Sequence, residues 1–175
     1  HIYHQYDPFD AAHGGPVLWN HLTTKDFVTY ENRGPVLFPD SDLDSSGAYS
    51  GSAFVHDGKI HYFYTGNVKH FDRDDYDYVL TGREQNQIHV VAENPDELGE
   101  KRIAVGPVDY PDDIGTHVRD PKILEHDGIY YMVLGARTKD DRGCVLVYTS
   151  SNLEDWSYAT RIELGEKFGF MWECP

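Results

Sequence analysis

The chain has 175 residues, 39% of them hydrophobic and 14% aromatic, enough for one sizeable core. Its 30 acidic residues against 15 basic give a formal charge of -15, which repels nucleic acid and anionic membrane. Neutral solutes are the expected partners, with a phosphorylated small molecule admissible wherever a few Lys, Arg or His residues gather.

The longest apolar run, Ile129 to Leu134, is far below the roughly 18 residues that a membrane helix needs. Cys144 and Cys174 are too few for a disulfide framework and lack metal-ligand spacing, which fits a reducing, cytoplasmic setting. In chain order, His1 to Tyr6 alternates like a strand and is expected to be an inner strand of a first unit, with Trp19 to Leu22 a later one. Tyr49 to Val55, Ile60 to Thr65, Gln87 to Ala92 and Ile103 to Val105 supply a second unit. Lys122 to Glu125, Ile129 to Leu134, Cys144 to Thr149 and Ser157 to Ile162 make a third, and Phe170 to Cys174 is expected to start a fourth. No stretch has a convincing helical period, and Pro95 to Glu100 is at most a turn. Both ends fall inside patterned segments, so the chain is expected to be cut from a longer protein.

Two interleaved repeats organise these strands. His56-Asp57-Gly58-Lys59-Ile60 recurs 70 residues later as His126-Asp127-Gly128-Ile129, each an Asp-Gly turn before an aromatic-rich strand. Thr24-Lys25-Asp26-Phe27 is echoed 126 residues later by Ser150-Ser151-Asn152-Leu153. Short strands in units of this length read as β-propeller blades, so the expected fold is all-β, about three blades of a propeller.

That register brings chemistry together. Arg119-Asp120-Pro121 opens the third blade, Tyr49-Ser50-Gly51-Ser52 stands at the matching place one unit earlier, and Glu173 one unit later. Alone, the Arg-Asp-Pro triplet reads as a surface turn with a solvated ion pair, and Glu173 as an acidic strand end. Equivalent ends of innermost propeller strands converge on a central channel, however, and two carboxyls facing one pocket are the minimum equipment for glycosidic cleavage. Trp172 is expected to wall Glu173 and keep it protonated, and Arg119 to keep Asp120 ionised.

Tyr49-Ser50-Gly51-Ser52, Arg119-Asp120-Pro121 and Glu173-Cys174-Pro175, in that order and spacing, resemble glycoside hydrolase family 32, the β-fructofuranosidases. Gln5-Tyr6-Asp7-Pro8-Phe9 is similar to the family's Gln-Tyr-Asn-Pro-Phe. Asp75 to Tyr78 with Thr81-Gly82-Arg83, and Gly135 to Asp141, look most like bacterial sucrose-6-phosphate hydrolases. The resemblance implies a five-bladed propeller followed by a β-sandwich, and a retaining mechanism on sucrose 6-phosphate or sucrose that needs no metal or organic cofactor. It implies that Asp120 holds fructose hydroxyls and stabilises the transition state, with Arg119 orienting it. Glu173 is implied as acid and then base, tuned by Cys174, while Gln5, Tyr49 and Ser50 line the fructosyl pocket.

The family's nucleophile is the aspartate of a Trp-Met-Asn-Asp-Pro-Asn-Gly motif, expected before His1, and the fragment alone is expected to be inactive. Asp7 is rejected as a substitute because its context aligns with the Asn-Pro of the family pattern. Asn20 and His13 depart from residues usual in the outer pocket. Arg83 and Arg137 are candidates for phosphate contact. Alternatives are a fructan-hydrolysing relative, an inverting arabinanase-like propeller glycosidase and a non-catalytic sugar-binding propeller.

Overall fold

The computed structural model describes residues 1–9 and 15–175, so His13 lies outside the described residues. The strands are β1 (Ile2–Tyr6), β2 (Leu18–Thr23), β3 (Glu31–Leu37), β4 (Ala48–His56), β5 (Lys59–Lys69), β6 (Arg83–Ala92), β7 (Arg102–Val105), β8 (Ile114–His126), β9 (Ile129–Thr138), β10 (Gly143–Ser150) and β11 (Ser157–Ile162). One turn of 3-10 helix at Pro107–Asp109 precedes β8. A three-stranded sheet has the order β1-β2-β3, and two four-stranded sheets run β4-β5-β6-β7 and β8-β9-β10-β11. These antiparallel sheets are blades of a β-propeller, as the repeats led us to expect.

Turn chemistry sets the register. Asp57 and Gly58, at φ 47° and 75°, join His56 to Lys59, and Asp127 and Gly128, at φ 51° and 74°, join His126 to Ile129. Positive φ at both central residues defines the type I′ turn, whose twist matches that of paired strands. The second repeat is equally local. Asp26 Oδ1 accepts the amides of Val28 and Thr29 at 2.9 and 2.8 Å, and Asn152 Oδ1 accepts those of Glu154 and Asp155 at 3.0 and 2.9 Å. Phe27 and Leu153, one residue after each Asx cap, both take positive φ, 57° and 65°.

This second equivalence fixes the place of the first sheet's strands. The Asn152 turn joins β10 to β11 and the Asp26 turn joins β2 to β3, so β2 and β3 hold the places of the third and fourth blade strands. His1 to Tyr6, paired on β2, therefore holds the place of a second strand, an inner one as expected.

The apolar core lies between blades, and β5 is buried on both faces. Tyr62 and Tyr64 point toward Trp19, Leu37 and Ile88, while Phe63 between them joins Val118, Met132 and Leu146. Successive side chains of a strand alternate faces, so an unbroken Tyr-Phe-Tyr run marks a strand packed from both sides. One buried charge anchors the edge of this layer. The fully buried Asp44 carboxylate accepts Lys101 Nζ and Tyr64 OH, both at 2.7 Å, together with Ser41 Oγ at 2.7 Å. It ties the loop before β4 to the segment entering β7.

Three boundaries differ from expectation. β3 was not foreseen because Gly34 and Pro35 interrupt its alternation. β8 begins at Ile114 rather than Lys122, so the polar stretch ahead of Asp120 is strand rather than loop, its pairing irregular between Ile114 and Val118. Phe170 to Cys174 forms no strand; Gly169 and Cys174 take positive φ, 74° and 49°, which breaks an extended run.

Candidate active site

Matching bulges build the site. β4 pairs Ala48 with Gly66 and then Gly51 with Tyr64, so Tyr49 and Ser50 include one residue more than β5 can match. β8 repeats this: Arg119 pairs with Gly135 and Lys122 with Val133, leaving the extra residue within Asp120-Pro121. A bulge ends regular pairing and re-aims a side chain. Asp120 sits at φ 64°, a conformation that Asp adopts more readily than most residues. At Gly51 a Cβ would lie 2.0 Å from the Phe63 carbonyl oxygen, so only glycine lets β4 close on β5 there.

Polar side chains clamp both bulges from below. Trp19 Nε1 donates to the Tyr49 carbonyl at 2.9 Å, and Ser52 Oγ donates to the Pro121 carbonyl at 2.8 Å, stitching β4 to β8. The Asp120 amide donates to Thr65 Oγ1 at 3.0 Å, and Thr65 in turn donates to Gln87 Oε1 at 2.8 Å. Gln87 Nε2 reaches the Val118 carbonyl at 2.8 Å, and Gln85 Oε1 accepts the Val118 amide at 2.8 Å. This buried platform escaped the sequence reading. Its signal is the polar run Arg83-Glu84-Gln85-Asn86-Gln87 inside a strand with no exposed face to justify it.

Above the bulges opens a cavity of about 540 Å³, whose walls include all six residues expected there: Gln5, Tyr49, Ser50, Arg119, Asp120 and Glu173. Lys69, Tyr78, Arg83 and Cys174 complete much of the lining. Arg137 does not line it. It borders a neighbouring pocket with Lys139, pairs with Asp141 at 2.7 Å and lies 4.5 Å from the Phe170 ring centre. Asn20 is buried within the first sheet, donating to Asn32 Oδ1 at 3.0 Å. Asp7 accepts the Phe9 amide at 2.9 Å in a local turn and is not among the residues lining the cavity.

The electrostatics differ from expectation. Asp120 is 7% exposed, and burial pushes its carboxyl above the ordinary range, while the Cys174 amide, donating to Oδ2 at 3.0 Å, and the Arg119 charge draw it back. Arg119 is committed elsewhere. Its Nη2 pairs with Glu173 and its Nη1 donates to His117 Nδ1 at 2.9 Å. Trp172 is turned away from the role expected of it: its indole packs across Gly143, and Nε1 donates to the Phe168 carbonyl at 2.7 Å. The Glu173 carboxylate is 61% exposed toward the cavity mouth. Burial and the neighbouring Asp120 raise the Cys174 thiol. Among the described residues no three His, Cys, Asp or Glu side chains gather as a metal ion requires.

A buried carboxyl and an exposed one thus face one cavity where propeller strands converge. The description "Glycosyl hydrolases family 32 N-terminal domain" matches residues 1–175, and the chain belongs to that family. It is 34% identical to the sucrose-6-phosphate hydrolase of Bacillus subtilis over its whole length, which is 35% of that protein. The solved sucrose-6-phosphate hydrolase of Lactobacillus gasseri superposes with a TM-score of 0.82 at 34% identity, over 98% of this chain and 33% of that one. A Bombyx mori β-fructofuranosidase mutant solved with sucrose matches with a TM-score of 0.77 at 26% identity, over 99% of this chain and 34% of that one. The chain thus spans about a third of the length of the curated relatives it matches.

Proposed function

We propose that this chain is the catalytic propeller portion of a β-fructofuranosidase that cleaves sucrose 6-phosphate or sucrose with retention of configuration. The observation that carries it is the pairing of Arg119 with Glu173 beside the buried Asp120 in one cavity. The relatives being roughly three times as long supports a longer enzyme, and the β-sandwich after the propeller is what the family resemblance implies. The free thiols of Cys144 and Cys174 support a cytoplasmic setting.

In this reading the two carboxyls take the different roles that the family resemblance implies. Asp120, held by the Cys174 amide at 3.0 Å and fixed in place by Thr65, accepts hydrogen bonds from fructosyl hydroxyls and steadies positive charge developing at the anomeric carbon. Glu173, exposed at the mouth, donates a proton to the departing glucosyl oxygen and then takes one from water. Arg119 orients Glu173, and Gln5, Tyr49 and Ser50 shape the fructosyl subsite. The family pattern gives attack to an aspartate in a motif that these 175 residues do not contain, so no nucleophile is proposed within them.

Proton NMR of the first fructose released by the full-length protein tests this. The β-furanose should appear before mutarotation. First release of the α-anomer, or no cleavage of either sugar, would refute it.

A further inference from the structure

We infer that Lys69 and Arg83 form an anion seat in the wall of the cavity, taking the phosphate of a sugar phosphate whose glycosidic bond lies between Asp120 and Glu173. The proposal rests on the reading of the cavity given above.

The two residues are direct partners, closing the ten-pair β5–β6 ladder with Lys69 opposite Arg83. Like charges placed directly across a ladder repel, and a chain of charge -15 has no shortage of acidic residues to separate them. Neighbouring cations are matched in that way: Arg119 by Glu173, Arg137 by Asp141 and Lys101 by Asp40 and Asp44. Among the described residues no carboxylate lies within ion-pair distance of Lys69 or Arg83. The adjacent Glu84 is committed to His70 at 2.9 Å. Both cations line the same cavity as Asp120 and Glu173.

Arg83 is also built in rather than solvated. It is 6% exposed, with its guanidinium carbon 4.3 Å from the Tyr78 ring centre, and its Nε and Nη2 have no hydrogen-bond partner among the described residues. His117 meets the same Tyr78 ring edge-on at 6.2 Å. Because Arg119 can only donate, His117 Nδ1 must accept from it, and the proton of the neutral ring sits on Nε2, buried beside the Tyr78 backbone. Burial, then the charges of Arg83, Arg119 and Arg137, lower this imidazole to about 4 and keep it neutral. The unmet groups are thus donors and cations, which a neutral sugar satisfies poorly and a phosphate, with acceptor oxygens and charge, satisfies well.

The test uses the full-length protein with Arg83→Met and Lys69→Met, and two readouts. The ratio of kcat/KM for sucrose 6-phosphate to that for sucrose should fall at least about tenfold in Arg83→Met, and less in Lys69→Met, as expected for loss of a charge-assisted, bidentate contact. Because it is a ratio, it does not depend on how much of the variant folds. An unchanged ratio in both variants overturns the proposal. Calorimetric titration with glucose 6-phosphate, glucose and inorganic phosphate separates the sugar phosphate from free phosphate and requires no turnover. Tighter binding of glucose 6-phosphate than of either other probe, lost in Arg83→Met, supports the seat even if neither sugar is cleaved and the hydrolase function fails. Equal binding of glucose and glucose 6-phosphate overturns it, as does equal binding of inorganic phosphate and glucose 6-phosphate.

Discussion

Tyr49 and Asp120, 71 residues apart, hold the same place in matching bulges of two successive innermost strands, and both side chains line one cavity. One backbone device, used twice, delivers an aromatic hydroxyl from one blade and a carboxyl from the next.

Replacing Asp120 separates chemistry from stability. In the full-length protein Asp120→Asn should lower kcat/KM on sucrose by about 10²- to 10³-fold, the loss typical of removing one group that stabilises transition-state charge. Its effect on folding has the opposite sign. The Asp120 carboxyl is raised above its unfolded value, so the native state binds more protons and stability falls as pH rises from the unfolded to the folded value. Asp120→Asn should therefore melt at a higher temperature than the parent at pH 7, with the advantage disappearing at pH below the ordinary carboxylate range. Thermal melts across pH check this, and equal melting temperatures at pH 7 would remove the burial penalty from the account.

In the full-length protein Glu173→Ala should slow sucrose turnover by orders of magnitude while an activated aryl fructoside, which needs no proton on its leaving group, loses far less. Azide should restore part of the rate. Equal losses on both substrates would exclude Glu173 as the acid.

Thr65→Val is isosteric but leaves the buried Asp120 amide without its acceptor. It should cost about 1–3 kcal/mol by urea denaturation and reduce kcat more than it changes KM, since the carboxylate is no longer held in place. A variant as stable and as active as the parent would show that the bulge needs no support from β5.

Gly51→Ala should cost at least about 2 kcal/mol, because its methyl meets the Phe63 carbonyl, which can move only with the strand. A smaller cost would mean that the β4 bulge shifts freely.

Lys101→Met strands the fully buried Asp44 charge and should destabilise the protein by about 3–5 kcal/mol. The double variant Asp44→Asn, Lys101→Met should recover a large part of that. Denaturant titration of the three variants measures the coupling.

Blades and hairpins were legible because they repeat, an Asp-Gly turn announcing itself through its copy one unit away, and the cavity residues because their motifs resemble those of family 32. Charge partners were not. Whether Arg119 faces Asp120 or Glu173 depends on where the irregular segment before Pro175 folds back, and no periodicity encodes that. Trp172 misled for the same reason, since the bare edges of Gly135 and Gly143 draw this segment down onto the sheet. The Gln85–Gln87 platform was hidden because a polar run announces buried hydrogen bonds without saying that they go to the Val118 backbone and to the Thr65 and Tyr110 hydroxyls.

The two rims of this molecule differ in how freely they can change. At one rim, two-residue Asp-Gly turns fix how strands align, and a single insertion there would throw every following side chain onto the wrong face. At the other, the connection between Lys69 and Arg83 is long, partly self-capped by Asp77 and in contact with the cavity through Tyr78. That segment lies outside the β5–β6 ladder, so its length is not tied to the register of the strands beneath it. New substrate preferences would accordingly be engineered, or acquired, by replacing residues 70–82, while the framework that aims Asp120 stays as it is.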